Sequence, residues 1–324
     1  MRIVSLLPAA TEIVCALGLI DDLVGISHAC DFPPAVAGRA VVTRPDRGPA
    51  AGPARRGAAR VPGAPASAAP RGRARPAAPR DPEAPVAIDL EALAALRPDL
   101  VLVGPTSPAA DAGRRLAGDS PLRDAVGPAA SVVTLEPASL EGIFHAVATV
   151  GAMTSAEDEA VGLVEILRER LADIEEVVAE RREAGIRAPR VVALDRLDPP
   201  RSAGLWVPEQ VRRAGGWEVL GAAGDPSART SWEAVAEVDP EMILLAPWGL
   251  HLAEAVAAWS RTPRPAGWGE VQAVRRGRVF ALDAAGYVSR GGPRVIDGIE
   301  LLAEIFDPAA FVDLAPAGSW VPVL

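Results

Sequence analysis

Three histidines, His28, His145 and His251, are the chain's only imidazoles, and it contains no lysine, every basic side chain being arginine. Without an ε-amine there is no Schiff-base nucleophile and no phosphate-loop ammonium. The chain also lacks the glycine-rich dinucleotide fingerprint G-x-G-x-x-G, a G-x-S-x-G elbow, an H-E-x-x-H pair and paired C-x-x-C units. His28 and Cys30, in SHACDFPP, have ligand chemistry for a soft metal or serve to shape a turn, and a metal site needs three or four donors. Asp195, Asp198 and Asp283 are the acids best placed for proton transfer. No nucleophile and base stand together, so the expectation is no catalytic set, no metal and no resident cofactor.

What remains are loops at the ends of predicted strands, where open α/β sheets receive ligands. In the first half these are Ser5 with Pro8, Ala9, Ala10 and Thr11, and the segment His28 to Pro34 with Phe32. In the second they are Asp198 to Arg201, Gly204 to Trp206, Pro247 to Gly249 around Trp248, and Gly286 to Arg290 with Tyr287. All seven tryptophans and the one tyrosine lie beyond residue 200. Aromatic rings in loops suit an apolar wall for a flat ligand, and packing is the competing use of the same side chains.

The elements that must carry these loops are written twice. LEALAALRPDLVLVGP (90–105) and WEAVAEVDPEMILLAP (232–247) share Glu91/Glu233, Pro98/Pro240 and Leu102/Leu244, and Arg2 to Leu6 is echoed by Arg190 to Leu194. Each copy reads as a short amphipathic helix, a proline stop and a buried strand. Two related lobes follow. The first carries extra length at residues 45–86, where 36 of 42 residues are Ala, Pro, Arg or Gly, a composition that predicts a low-complexity, disordered insert.

Between the halves, Val161, Val164, Leu167, Leu171, Ile174 and Val178 recur at three- and four-residue steps. They predict one helix from Ser155 to Ala184, opened by a Thr154/Glu157 capping box and ended by Gly185 and Pro189. At ~1.5 Å per residue, about 30 residues reach roughly 45 Å, enough to cross both lobes and limit their opening. The expected organisation is an N-terminal lobe at 1–152 holding the insert, a backbone helix at 153–186 and a C-terminal lobe at 187–324.

The formal charge is −9, or −14 once the insert's net +5 is set aside, which argues against nucleic acid or an anionic membrane as partner. Cys15 and Cys30 are too few for a disulfide scaffold, and half-buried thiols are favoured over a pair. No apolar run approaches the ~18 residues of a membrane span, so no membrane insertion is expected. Met1-Arg2 enters the first strand with no signal segment, which predicts a cytoplasmic address as written, or a periplasmic or cell-surface one should the start lie upstream. A monomer is expected.

The ordered set RIVSLLPAATEIVCALGL, LVGISHACDFPP, LRPDLVLV, LDPPRSAGLWVPEQVRRAGG, SWEAVAEVDPEMILLAP and RGRVFALDAAGYVSRGGPRVIDGIELLAEI resembles the cobalamin-binding proteins of the helical-backbone (class III) substrate-binding family. The likeness runs from Met1 to about Phe311, residues 45–86 excepted. It implies two Rossmann-like α/β lobes joined by one long helix, with a ligand cleft between them, serving an ABC importer permease. It further implies non-catalytic binding of cobalamin or another corrinoid as ligand, at Pro8, Ala9, Phe32, Arg201, Trp206, Trp248, Tyr287 and Arg290. Phe32 stands where the family often has Tyr, and Arg201 where it often has an aromatic residue. Glu233 takes the place of an acid that docks on the transporter, and Asp111 is the nearest first-lobe counterpart. The alternatives are a haem or ferric-siderophore binder of the same fold, with His28 as an axial ligand for haem, or an enzyme of corrinoid metabolism using the three aspartates above.

Overall fold

The structure, a computed structural model, describes residues 1–45, 86–104 and 121–324. The strands of the first half are β1 (Ile3–Ser5), β2 (Leu23–Ile26), β3 (Ala40–Val41), β4 (Thr43–Pro45), β5 (Val86–Ile88), β6 (Leu100–Val103) and β7 (Ser131–Thr134). Its helices are α1 (Pro8–Ala16), α2 (Leu90–Ala95), α3 (Pro121–Val126) and α4 (Leu140–Thr154). The spine α5 (Glu157–Glu183) follows. Beyond it come β8 (Arg190–Leu197), β9 (Pro200–Ser202), β10 (Trp217–Glu218), β11 (Ala228–Arg229), β12 (Met242–Leu245), β13 (Val279–Leu282) and β14 (Trp320–Pro322). They alternate with α6 (Val207–Arg213), α7 (Trp232–Glu237), α8 (Leu252–Arg261), α9 (Gln272–Arg275), α10 (Ala284–Tyr287) and α11 (Val295–Phe306).

Two sheets form two lobes. The first is wholly parallel, in the order β3-β2-β1-β6-β7. The second runs β11-β9-β8-β12-β13-β14, with β10 also on β8. Its centre is parallel, while β9 and β14 run antiparallel to it and β11 pairs antiparallel with β9. Central strands such as Leu100–Val103 and Met242–Leu245 are apolar at every position and buried throughout, as expected for parallel strands covered by helices on both faces.

The internal repeat is visible in the pairing. β1 lies beside β6 and β8 beside β12, in matching register: Ile3 faces Leu100, and Val191 faces Met242. The helices before β6 and β12 open alike, the Asp89 carboxylate accepting the Ala92 amide and the Ser231 hydroxyl that of Ala234. They close alike too, with Arg97 and Asp239 at φ 45° and 40° ahead of the prolines. The Asp99 amide then donates to the Arg2 carbonyl, as the Glu241 amide does to that of Arg190.

The low-complexity stretch leaves and rejoins the lobe at one point, since Pro45 pairs with Val86 in a two-stranded ladder of β4 and β5. Residues 46–85, where disorder was expected, lie outside the described residues, as does Asp111.

The spine is 27 residues long, about 40 Å at the helical rise. Leu167, Leu171 and Ile174 are buried in the second-lobe core, Ala160 in the first, and Leu163 and Val164 pack against both. Two details depart from expectation. Thr154 does not cap α5: it ends α4, where its hydroxyl donates to the Val150 carbonyl at 2.7 Å, and Ser155 turns the chain at φ 55°. Val161 is 57% exposed, because its neighbour Ala160 takes the inward place, close against Gly151 of α4. The spine also has company. Leu140, Ile143 and Phe144 of α4 sit in the second-lobe core while Ala146, Val147 and Val150 sit in the first, so two antiparallel helices bridge the lobes.

Candidate functional site at the lobe interface

The facing surfaces are built from strand ends. After β1 the chain enters α1 with Pro8 at its first position, where a missing amide costs nothing. Glu12 is the one charge in the segment PAATEIVCA, and the turn of the helix points it at the second lobe. After β2 the segment Ser27 to Pro33 crosses the same edge. Here the His28 ring lies 2.7 Å from the Thr43 hydroxyl, while the Cys30 thiol accepts from Thr11 at 3.0 Å. The two side chains thus serve separate partners, and among the described residues no His, Cys, Asp or Glu groups with metal-binding geometry occur. Cys15 and Cys30 are both free thiols; burial pushes the Cys15 thiol up to about 11.

From the second lobe, α10 and the loop to α11 supply Tyr287, Arg290, Gly291, Gly292 and Arg294. A Cβ at Gly291 would come within 2.9 Å of the Pro137 side chain, and one at Gly292 within 3.4 Å of the Ala9 carbonyl. The loop's glycines therefore let it lie directly on the first lobe.

That approach is locked by charge. Glu12, whose side chain is 3% exposed, accepts from Arg294 at 2.6 and 3.0 Å and from Arg290 at 3.1 Å. Arg290 also reaches Asp31 at 2.7 Å and the Ala29 carbonyl at 3.2 Å. At the rim, His251 ends the chain of contacts, with Nε2 2.9 Å from Asp31 and Nδ1 3.0 Å from Asp283. The neighbouring Asp283 and Asp31 carboxylates raise the imidazole to about 9, against the opposing effect of burial. Burial works against the Asp31 charge, yet His251 and Arg290 hold that carboxyl well below the usual range.

The sequence-derived ligand residues fall into three settings. Ala9, Phe32, Tyr287 and Arg290 meet at this interface, with Pro8 beside Ala9 at the start of α1: the Arg294 guanidinium stacks 3.9 Å over the Phe32 ring and 5.5 Å from that of Tyr287. Burial raises the Tyr287 hydroxyl above its ordinary value. Trp206 and Trp248 form a tilted pair with centroids 5.8 Å apart. Trp206 is 4% exposed and donates its indole N–H to the Val288 carbonyl, so its contacts are those of a core residue, whereas Trp248 is half-buried. Arg201 lies on β9 and is turned to the Ser227 hydroxyl and carbonyl at 3.0 and 2.6 Å.

Glu12, His251 and Arg294 were not among the expected binding residues, and Asp31 was included only as part of the segment His28 to Pro34. The one signal available was the isolated Glu12 in an apolar helix, since a buried charge requires a partner. Two of the three acids considered for proton transfer already have partners: Asp195 accepts from Ser227, and Asp283 caps α10 at the Gly286 amide.

Glu233 is exposed on the first turn of α7, where its own amide and Ser231 hold the carboxyl low. The repeat places Glu91, also exposed, on the first turn of α2. The alignment of the two halves pairs Glu91 with Glu233.

The sequence profile of the family described as periplasmic binding protein matches residues 70–285. An uncharacterized ABC transporter substrate-binding lipoprotein, YvrC of Bacillus subtilis, is 26% identical over 314 residues, covering 96% of this chain and 81% of the relative. Among solved structures, a periplasmic heme binding protein from Pseudomonas aeruginosa superposes with a TM-score of 0.67 at 22% identity, covering 95% of this chain and 93% of that one. The vitamin B12 binding protein BtuF of Vibrio cholerae gives 0.61 at 22% identity, with 95% and 97% covered. The heme-complexed IsdE of S. aureus gives 0.66 at 17% identity, covering 94% and 98%.

Proposed function

Since the chain belongs to the periplasmic binding protein family, we propose that it takes a corrinoid such as cobalamin between its lobes and delivers it to an ABC importer, making and breaking no bond. The observation that carries this reading is the convergence of Phe32, Tyr287 and the Arg294 guanidinium on one interlobe surface, with half-buried Trp248 on the same lobe as Tyr287. Flat apolar ring faces would be buried against these groups, and loop amides would meet the ligand's polar edge. Pro8, Ala9 and Arg290 frame the same surface. Arg201 and Trp206 would support the wall from behind, given the partners they already have.

The lobes would be residues 1–152 and 187–324, hinged on 153–186. The small reach of a helix-pair spine suits slight opening rather than wide closure. Glu91 and Glu233, one at the same place in each repeat, would be the paired acids that meet the permease. The reading also moves the protein out of the cytoplasm: the Bacillus subtilis relative is named a lipoprotein, and the cytoplasmic address expected from the first residues is withdrawn. No helix among the described residues is long and apolar enough to cross a membrane.

Calorimetric titration with cyanocobalamin tests the proposal, with saturable binding expected. Absence of heat and of thermal stabilisation by cyanocobalamin, together with a Soret shift on adding haemin, would transfer the assignment to haem. That second reading draws on the heme-binding neighbours of the same fold.

A further inference from the structure

The interlobe cluster sets three cations, Arg290, Arg294 and protonated His251, against three carboxylates, Glu12, Asp31 and Asp283. Its inner part is the more enclosed. Glu12 is 3% exposed, Arg290 9% and Arg294 15%, and Glu12 bonds to both guanidinia. Cleft arginines are ordinarily the groups that receive carboxylate or phosphate from a ligand, by bidentate charge-assisted hydrogen bonds. Here that capacity is already used by a side chain of the protein. An anionic ligand group on Arg290 or Arg294 would either displace the Glu12 carboxylate from its cations or sit beside it as a second enclosed negative charge, and both arrangements are disfavoured at a buried site. A neutral amide imposes no such exchange.

We propose that Glu12 determines ligand specificity: as an internal counter-ion to Arg290 and Arg294 it closes the cleft to ligands with carboxylate rims and keeps it for neutral, amide-rimmed ones. This deepens the corrinoid reading and rests on it. Glu12 acts through the arginines and is a positioning residue.

The test holds the ring constant and changes only the rim. Affinities of dicyanocobinamide, rimmed by amides, and dicyanocobyrinic acid, rimmed by carboxylates, are measured by calorimetry on the wild type and on Glu12→Gln. The wild type is expected to favour the amide form, and the variant to move the ratio toward the acid by about tenfold or more, the size of one charge-assisted hydrogen bond. A general loss of structure would weaken both ligands together and leave the ratio alone. An unchanged ratio in a variant that still binds overturns the proposal. Should Glu12→Gln fail to fold, Asp31→Asn frees Arg290 from its outer partner and must move the ratio the same way, and no movement there is equally fatal. If neither corrinoid binds the wild type, the corrinoid reading falls, and haemin against haemin dimethyl ester repeats the comparison. Preference for the free acid over the ester, or no binding of any of the four, then overturns the role of Glu12 as well.

Discussion

The rim histidine gives a pH dependence that can be worked through. His251 links Asp283 on its own lobe to Asp31 on the other, and its imidazole rises from 6.5 to about 9 in the folded protein. At full strength such a shift corresponds to ~3 kcal/mol of stability. The ring is 39% exposed, and solvent screening brings the expected contribution to about 1 kcal/mol. A cation favoured in the folded state contributes fully below the unfolded value of 6.5, and that contribution fades as pH rises through about 9. Urea unfolding of wild type and His251→Gln from about pH 6 to about pH 10 measures it, since every other titrating group cancels in the difference. The wild type is expected to lose about 1 kcal/mol more than the variant across the range, with the extra loss confined between 6.5 and 9. Parallel curves, or a difference that opens on the acid side of this window, would refute the linkage between ring charge and lobe contact.

Two further outcomes follow from single positions. Gly298→Ala would place a Cβ 2.1 Å from the Tyr287 carbonyl, so α11 must shift away from α10; a loss of about 3 kcal/mol in urea unfolding is expected, with weakened ligand binding through displaced Tyr287. Glu218 is half-buried, and desolvation of its carboxyl pushes it up to about 7, although the Gly221, Leu220 and Ala193 amides pull the other way. Its stabilising contribution is present below 4.5 and lost by about 7, a fall of about 2–3 kcal/mol that thermal melts of Glu218→Gln should lack.

The duplicated plan was legible because the two halves repeat the same local instructions. Asp89 and Ser231 both start a helix, Pro98 and Pro240 both stop one, and the strands that follow are apolar at every position. The spine was legible from its stripe, but its start was not. A threonine three residues ahead of a glutamate resembles a cap until the preceding helix claims the hydroxyl, and α4 could be assigned only once its Leu140 end was seen in the opposite core. Trp206 illustrates the ambiguity of a glycine-flanked aromatic: whether such a ring lines a cleft or fills a core depends on the Val288 carbonyl 82 residues away. The ionic cluster was least legible. Glu12 meets partners 278 and 282 residues distant, a separation at which local pattern carries no information.

The shared packing of Leu163 and Val164 has a practical side. Any cut that assigns α5 to one half strips an oily strip bare on the other, so neither half makes a self-standing fragment for a two-piece complementation reporter. Dyes meant to sense occupancy belong on opposite lips, near Asp31 and His251, because the helical strut behind them holds its own length constant.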